Sequence, residues 1–141
     1  MCIRDSPAAW LMGVKVSMIN NSNCICTLKY RWINQNPFKS IFWAAQGMAA
    51  EFATGVLLMR EIELSNKNIS MLLVSVEAKF TKKATGKISF KCDKGIMIKE
   101  KVGSLNSQKT KSTMWIDSIG IDETGQEVSK FKFNWSILLK K

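Results

Sequence analysis

The sequence predicts an α+β domain in which a strongly curved antiparallel sheet of five or six strands wraps around one apolar helix. Strand-like alternation of apolar and polar residues flanks a long apolar segment, and the length of 141 residues suits one domain. Hydrophobic residues make up 46% of the chain and charged residues 23%, as in ordinary globular proteins. A helix without a polar face must be surrounded, and a sheet surrounds a helix only by curling.

Two strands are predicted before the helix. The first lies within Val14 to Ile19, and the polar cluster from Asn20 to Asn23 separates it from the second as a hairpin loop. In the second strand one face carries apolar side chains and the other polar ones, namely Leu28, Tyr30 and Trp32 against Thr27, Lys29 and Arg31. This alternation is typical of a half-buried strand.

The central helix is predicted from Pro37 to Met59. Asn36 is a good N-cap, and proline at the first helical position loses no hydrogen bond. Between Ile41 and Ala53 only Gln46, Gly47 and Glu51 interrupt a run of apolar residues. A membrane span is the alternative, although polar residues shorten the run well below the length of about 20 residues that a span needs. The many Ala and Gly residues favour a helix held close to a sheet.

Later strands follow the helix. Apolar residues alternate from Leu72 to Phe80 and again from Ile88 to Cys92, with a hairpin turn predicted at Lys82 to Gly86. The stretch around Ile96 to Ile98 fits either a short helix or a further strand. A last hairpin is predicted with strands from Thr113 to Ile121 and Glu127 to Leu139, joined by the turn Asp122-Glu123-Thr124-Gly125.

The composition excludes several chemistries. The chain has no His, so Ser-His-Asp, Cys-His and His-zinc sites are ruled out, and any catalysis must use carboxylates, amides, hydroxyls or backbone groups. The four cysteines form no CxxC pair and are interpreted as reduced core thiols without a metal, namely Cys2, Cys24, Cys26 and Cys92. The net charge of +10 makes polyanions such as nucleic acid, phosphorylated cofactors or acidic membranes plausible partners.

The first twelve residues bear on the domain boundary and on the cellular location. Residues 1–6 look like a translated sequencing adapter and are excluded from the domain, which is expected to span 7–141. The segment from Pro7 to Met12 lacks the charged lead and long apolar run of a secretory signal, so a cytoplasmic location is expected.

A resemblance to a known family sharpens the fold prediction. The segment from Asn36 to Ile41, followed by Ala44-Ala45-Gln46 and Met48-Ala49-Ala50-Glu51, closely resembles an uncharacterised bacterial branch of hotdog thioesterase-like proteins, catalogued as a domain of unknown function. Further similar segments are Phe80 to Ala84, Gly86 to Cys92, Gly125 to Val128 and Trp135-Ser136. The resemblance implies a hotdog fold, a homodimer or higher assembly, and hydrolysis of acyl-CoA or acyl-carrier thioesters in a tunnel between subunits, with no cofactor.

The same resemblance assigns the candidate site. A carboxylate on the central helix often drives the reaction in hotdog enzymes, and Glu51 matches it by location, with Gln46 and Thr54 as weaker catalytic candidates. Gly47 and Gly55 lie one helical turn on either side of Glu51 and are expected to leave space for a substrate carbonyl. Further substrate contacts are expected from the helix start, whose amides near Lys39 and Ser40 would polarise the thioester oxygen. The other expected contacts there are Asn36 and Phe38. Two lysines, Lys82 and Lys83, are expected to bind the phosphates of CoA.

Other interpretations remain open from the sequence. The helix start lacks the His-Gly-Gly stretch of better-known thioesterases, which leaves room for a non-catalytic acyl-binding hotdog protein. Glu51 and Gln46 also suit buried hydrogen-bonding roles, and the lysines suit a solvated sheet face. A basic β-rich nucleic-acid binder is the third class. Its stacking residues would be Trp32, Trp115 and Trp135, for which core or interface packing is preferred.

Overall fold

The computed structural model of the protein describes residues 5–141 and contains three α-helices and six strands within that range. The helices are α1 (Pro7–Met12), α2 (Trp43–Ser65) and α3 (Gly95–Gly103). The strands are β1 (Lys15–Ile19), β2 (Cys24–Lys29), β3 (Ile69–Phe80), β4 (Lys87–Cys92), β5 (Lys111–Ile121) and β6 (Glu127–Leu139). A short 3-10 turn spans Trp32–Asn34.

The six strands form one antiparallel sheet in the order β1-β2-β4-β5-β6-β3. The sheet curls around α2, which packs against five of the strands and has fewer contacts with β3 than with any of those five. The predicted α+β architecture, a curved sheet around one long helix, is therefore confirmed. Within residues 5–141, no helix combines the length and the low polarity needed to cross a membrane.

The core lies between α2 and the concave face of the sheet. Small side chains on α2 let it approach β6 closely: a β-carbon added at Gly47 would contact Phe131, and one added at Gly55 would contact Trp135. The expectation that Ala and Gly hold the helix against a sheet is confirmed. The expected open space at these glycines is largely taken by the two aromatic rings.

The central helix begins at Trp43, so the predicted start at Pro37 is wrong. The Asn36 side chain does accept backbone hydrogen bonds, from the amides of Phe38 at 3.0 Å and Ser40 at 3.2 Å, but these bonds close a loop instead of a helical turn. Lys39 takes a left-handed conformation in that loop, with φ of 59°. At the other end the helix continues past Met59 to Ser65.

The predicted hairpin at Lys82 to Gly86 is also wrong. The strands on either side of it, β3 and β4, are not neighbours: β3 pairs with β6, while β4 lies between β2 and β5. Alternation identified both strands correctly, but it carries no information about their partners. The segment around Ile96 to Ile98, left open between helix and strand, is part of α3.

Other sequence expectations can be compared directly. The hairpin of β5 and β6 and its turn at 122–125 are confirmed. Cys24, Cys26 and Cys92 are free and buried, whereas Cys2 lies outside the described residues. Burial raises the pKa of the Cys92 thiol to about 12, which keeps it protonated. Trp135 packs in the core, but Trp32 is 83% exposed in the 3-10 turn and does not continue β2.

Candidate active site

Glu51 stands on the stripe of α2 that faces β6. Gly47 lies one turn before it, against Phe131, and Gly55 lies one turn after it, against Trp135. The two glycines are about 12 Å apart along the helix, and the two aromatic residues are about 13 Å apart along β6. Glu51, midway between the glycines, is therefore level with Phe133, midway between the aromatic residues. The Glu51 side chain is partly buried, and burial raises the pKa of its carboxyl above the ordinary value. Among residues 5–141, its carboxylate has no hydrogen-bond or ion-pair partner.

Thr54 connects the helix to the sheet. Its hydroxyl donates a hydrogen bond to the Glu51 carbonyl oxygen at 2.9 Å and accepts one from Trp135 Nε1 at 3.0 Å. The side chain is fully buried. These bonds use the hydroxyl proton within the helix, so Thr54 fixes the backbone that carries Glu51 and the indole beside Gly55.

Gln46 makes a second buried connection between α2 and β6. Its Oε1 accepts a hydrogen bond from Ser129 Oγ at 2.9 Å, and its Nε2 donates to the Ile41 carbonyl oxygen at 3.3 Å. An amide nitrogen carries two N–H donors, so one of them has capacity left. Gln46 also lines the groove at the start of the helix.

A groove of about 510 Å³ lies at the start of α2. We call it the helix-start groove. It brings together five residues predicted from the sequence to bind substrate and one predicted to be catalytic: Asn36, Phe38, Ser40, Lys82, Lys83 and Gln46. Its remaining lining is Pro37, Ile41, Phe42, Trp43, Phe80 and Ala84. Lys39, Glu51, Thr54, Gly47 and Gly55 are not part of it.

The amide donors at this groove differ from the predicted ones. The Lys39 amide donates to the Asn36 carbonyl oxygen, and the Ser40 amide to the Asn36 side chain, so both are engaged within the loop. The first amides of α2 are those of Trp43 and Ala44, and neither has a backbone partner within residues 5–141. Such first-turn amides, together with the helix dipole, favour negative charge on a nearby oxygen.

The two predicted lysines have different surroundings. The Lys82 ammonium forms an ion pair with Asp122 at 2.6 Å and a hydrogen bond with Gln126 at 2.7 Å. Hydrogen bonds from the Lys82 ammonium and from the Thr124 hydroxyl hold the pKa of Asp122 well below its ordinary value. Lys83 is exposed at the rim, so it is the freer of the two cations.

The helix-start groove has four exposed aromatic side chains, and three of them were missed as site residues. Phe38 is 70% exposed, and Phe42, Trp43 and Phe80 are each about half exposed. Phe38 was singled out from the sequence, whereas the other three were assigned to the helix or to an inward strand face. In the sequence these three residues belong to apolar segments next to a loop, a pattern that is equally typical of buried core residues.

The inward face of β3 is open beside this region. Register pairing puts Val76 opposite Phe133 and Phe80 opposite Ser129, so both β3 residues share the concave face. Each is 48% exposed, because α2 makes few contacts with β3. An apolar, uncovered strip thus runs beside the segment of β6 that faces Glu51.

Comparison with known families gives a match over almost the whole chain. Residues 1–137 match the model of a domain of unknown function, DUF4442. The chain belongs to the DUF4442 family. No curated protein matches the sequence.

Solved structures share the fold at low sequence identity. A Pseudomonas aeruginosa protein described as a probable thioesterase of unknown function superposes with a TM-score of 0.83 at 13% identity, covering 98% of this chain and 91% of that one. A Chlorobaculum tepidum protein of unknown function gives 0.78 at 14% identity, covering 98% and 90%. A mutant thioesterase from Staphylococcus aureus gives 0.72 at 10% identity, covering 94% and 98%. This DUF4442 protein therefore has the thioesterase-like hotdog fold.

Proposed function

We propose that this protein hydrolyses acyl thioesters of CoA or of an acyl carrier, at a site shared by two copies of the chain. The observation that carries the proposal is Glu51, a partly buried carboxylate without a partner among residues 5–141 whose pKa is raised by burial. Buried acids without partners are costly and concentrate at functional sites. The thioesterase-like fold gives this acid a reaction class.

Glu51 acts as a general base or as a nucleophile. As a base, its carboxylate takes a proton from water while the water oxygen bonds to the thioester carbon. The tetrahedral intermediate then collapses, the C–S bond breaks, and the departing thiolate takes up the proton to leave a free thiol and a carboxylic acid. As a nucleophile, the carboxylate bonds to the thioester carbon, the C–S bond breaks and the thiolate leaves, which gives a mixed anhydride; water then hydrolyses the anhydride to the carboxylic acid and the free Glu51 carboxylate. Neither route requires a metal ion or an organic cofactor.

The second copy is proposed to dock on β3. This strand is twelve residues long, lies at the edge of the sheet and exposes apolar side chains on its concave face. A long edge strand with an apolar face is a template for pairing with another strand. Pairing of β3 with β3 of another copy would extend the sheet, cover Val76 and Phe80, and close a tunnel beside Glu51. A dimer or a dimer of dimers results.

A shared site follows from distances along α2. Glu51 is eight residues after Trp43, which is about 12 Å along a helix. One carbonyl group cannot contact a base and an amide donor that are separated so widely on one helix. We therefore assign Glu51 to one copy and the amides of Trp43 and Ala44 to the other, where they would polarise the carbonyl oxygen.

The remaining predicted residues take supporting roles. The aromatic walls of the helix-start groove suit the apolar arm of the substrate, and Asn36 and Ser40 shape the loop that carries them. Lys83 and Lys39 offer exposed cations for phosphate groups. Gln46 and Thr54 position α2 against β6. The proposed location is the cytoplasm, where buried thiols stay reduced.

The test is release of free thiol from short, medium and long acyl-CoAs. Wild type is compared with Glu51→Gln and with the control Glu63→Gln, which removes the same charge from an exposed position on the same helix. Loss of a general base lowers the rate by about 10² to 10⁴. We expect that loss in Glu51→Gln alone. Equal turnover by Glu51→Gln and wild type would exclude Glu51 from the reaction.

A second candidate function is acyl binding without turnover. One observation favours it: the predicted oxyanion donors, the amides of Lys39 and Ser40, are both already hydrogen-bonded within the loop. A binder would retain acyl-CoA at equilibrium and release no thiol from any chain length. Salt-dependent binding to single-stranded nucleic acid, with no response to acyl-CoA, would instead favour the third class.

A further inference from the structure

A second groove lies on the convex face of the sheet, on the side opposite α2. It has a volume of about 290 Å³ and is lined by Gly13, Lys15, Thr27, Lys29, Arg31 and Lys87. We call it the basic groove. Four of its six lining residues are cationic, and none is acidic.

The strand register forces two of these cations together. Lys29, the last residue of β2, is directly opposite Lys87, the first residue of β4. Lys15 of β1 is opposite Thr27, one pair further along the same face. Like charges directly opposite each other in a sheet are destabilising. An arrangement of this kind is relieved when an anion binds between the ammonium groups.

Arg31 is held over the groove by its backbone surroundings. Its guanidinium packs against Gly13, whose φ of 90° disfavours any residue with a side chain, and its Nη2 donates to the Leu11 carbonyl oxygen at 3.4 Å. Most of the guanidinium donors stay available. A planar guanidinium with several fixed donors matches the oxygens of a phosphate.

Asn34 fixes the segments that carry these side chains. It is buried, and its Nδ2 donates to the carbonyl oxygens of Met12 at 3.0 Å and Lys29 at 2.9 Å. Its Oδ1 accepts the Arg31 amide at 2.9 Å. One buried amide thus joins the end of α1, the end of β2 and the start of the 3-10 turn. The geometry of the basic groove is therefore built into the fold.

The four cations of the basic groove lack ion-pair partners among the described residues. Among residues 5–141, no carboxylate forms an ion pair with any of them. Glu123 lies beside this end of the sheet: its Oε1 accepts the backbone amide of Lys87 at 2.9 Å, but its carboxylate forms no ion pair with the Lys87 ammonium. The surplus positive charge faces solvent.

We propose that the basic groove binds a phosphoryl group. The fork of Arg31 and the ammonium groups of Lys15, Lys29 and Lys87 would hold its oxygens, and the Thr27 hydroxyl adds a neutral donor. The phosphate belongs either to a soluble ligand, such as the nucleotide end of CoA, or to an anionic lipid headgroup. The site lies on the opposite face of the sheet from Glu51 and does not depend on thioester hydrolysis.

Calorimetric titration with pyrophosphate, CoA and 3′-dephospho-CoA tests this site, alongside sedimentation with phosphatidylglycerol-phosphatidylcholine vesicles. The double variant Lys29→Gln/Lys87→Gln is compared with Lys91→Gln/Lys132→Gln, which removes the same charge from exposed lysines elsewhere on the outward side. Affinity should fall about tenfold or more in the first variant, as expected for two lost cation contacts, and stay near wild type in the second. Arg31→Gln should weaken binding in the same way.

The outcomes separate cleanly. Binding of CoA or pyrophosphate that depends on Lys29 and Lys87 identifies a soluble phosphate, and binding only of the anionic vesicles identifies a lipid headgroup. Equal loss in both double variants, or no binding of any probe by wild type, overturns the proposal. The Lys29→Gln/Lys87→Gln variant should unfold at no lower temperature than wild type, because a like-charge pair is removed. Glu51→Gln should bind pyrophosphate as wild type does, because Glu51 lies on the other face of the sheet, so this site and the catalytic proposal fail independently.

Discussion

Strands β3 and β6 lie side by side along most of their lengths and have the same alternation of inward and outward residues, yet their surroundings differ. On β6 the inward residues Phe131, Phe133 and Trp135 are almost inaccessible to solvent. On β3 their neighbours Val76 and Phe80 are 48% exposed. Two apolar strand faces with the same alternation therefore differ in what covers them. The face under α2 closes the core, and the face on β3 is open and is where the second copy is proposed to dock.

The difference arises from the reach of the helix. α2 approaches β6 through Gly47 and Gly55 and is fastened there by the bonds of Gln46 to Ser129 and of Trp135 to Thr54. A helix held at this position covers β6 but not β3, the strand at the sheet edge beyond it. Glu51 therefore lies at the boundary between the buried core and an open apolar strip, a position that suits its proposed role as the base or nucleophile in thioester hydrolysis.

The largest effect is expected from truncating Phe131. Its ring stacks on Phe133 and meets Phe80 and Phe90 edge to face, and it is fully buried. Phe131→Ala should lower the free energy of unfolding by about 3–5 kcal/mol, as is typical of buried aromatics. Phe80→Ala removes the same side chain from the open strip and should cost about 1 kcal/mol or less in a protomer. Denaturant unfolding measures both, and equal costs would contradict the comparison.

A smaller effect is expected on assembly. Val76→Lys puts a charge into the face that the second copy is proposed to cover, and it should weaken self-association about tenfold or more because burying an unpaired charge is costly. Ser75→Lys is the control, since Ser75 is opposite Asn134 on the outward face of the same strand. Sedimentation velocity over a range of concentrations measures both variants. Identical behaviour of the two would place the interface elsewhere.

The smallest effect is a pH dependence of stability. Because burial raises the Glu51 pKa in the folded state, folding favours the protonated acid. Its stabilising contribution is present below the unfolded pKa and is lost as pH rises through the folded pKa. Glu51→Gln keeps the neutral shape, so it should gain stability relative to wild type as pH rises through that range. Thermal unfolding across a pH series measures this, and a constant difference would mean that Glu51 is not desolvated.

The fold was largely predictable because its strongest signals are local. An apolar run without a polar face marked α2, alternation marked β2, β3 and β4, and polar turn segments marked the hairpins of β1 with β2 and of β5 with β6. The helix start could not be found this way: Asn36 bonds the same nearby amides whether it caps a helix or closes a loop, and the choice depends on Ile41 bonding to Ala84 across the fold. The false hairpin at Lys82 to Gly86 has the same origin, since partners are set by long-range packing.

The candidate site was predictable in part: Glu51 and six residues of the helix-start groove were named from the sequence. Glu51 stands out as an acid within an apolar helix, and that contrast is readable from composition along the chain. The apolar walls contributed by Phe42, Trp43 and Phe80 are not readable, because an exposed aromatic and a buried one have the same pattern. The basic groove required the register, which brings together lysines more than fifty residues apart in the chain, Lys29 and Lys87.

Mixing two inactive variants tests most directly whether the site is shared between copies. Trp43→Pro removes one amide donor and fits the backbone, because Phe42 already has the extended conformation that proline requires of its predecessor, with φ of −59° and ψ of 136°. Glu51→Gln removes the base. Each variant alone should be inactive towards acyl-CoA, whereas co-refolded mixtures should recover part of the wild-type rate, since a mixed dimer contains one intact pair. A mixture with no more activity than either variant alone, or an active Trp43→Pro dimer, would exclude a site shared between copies.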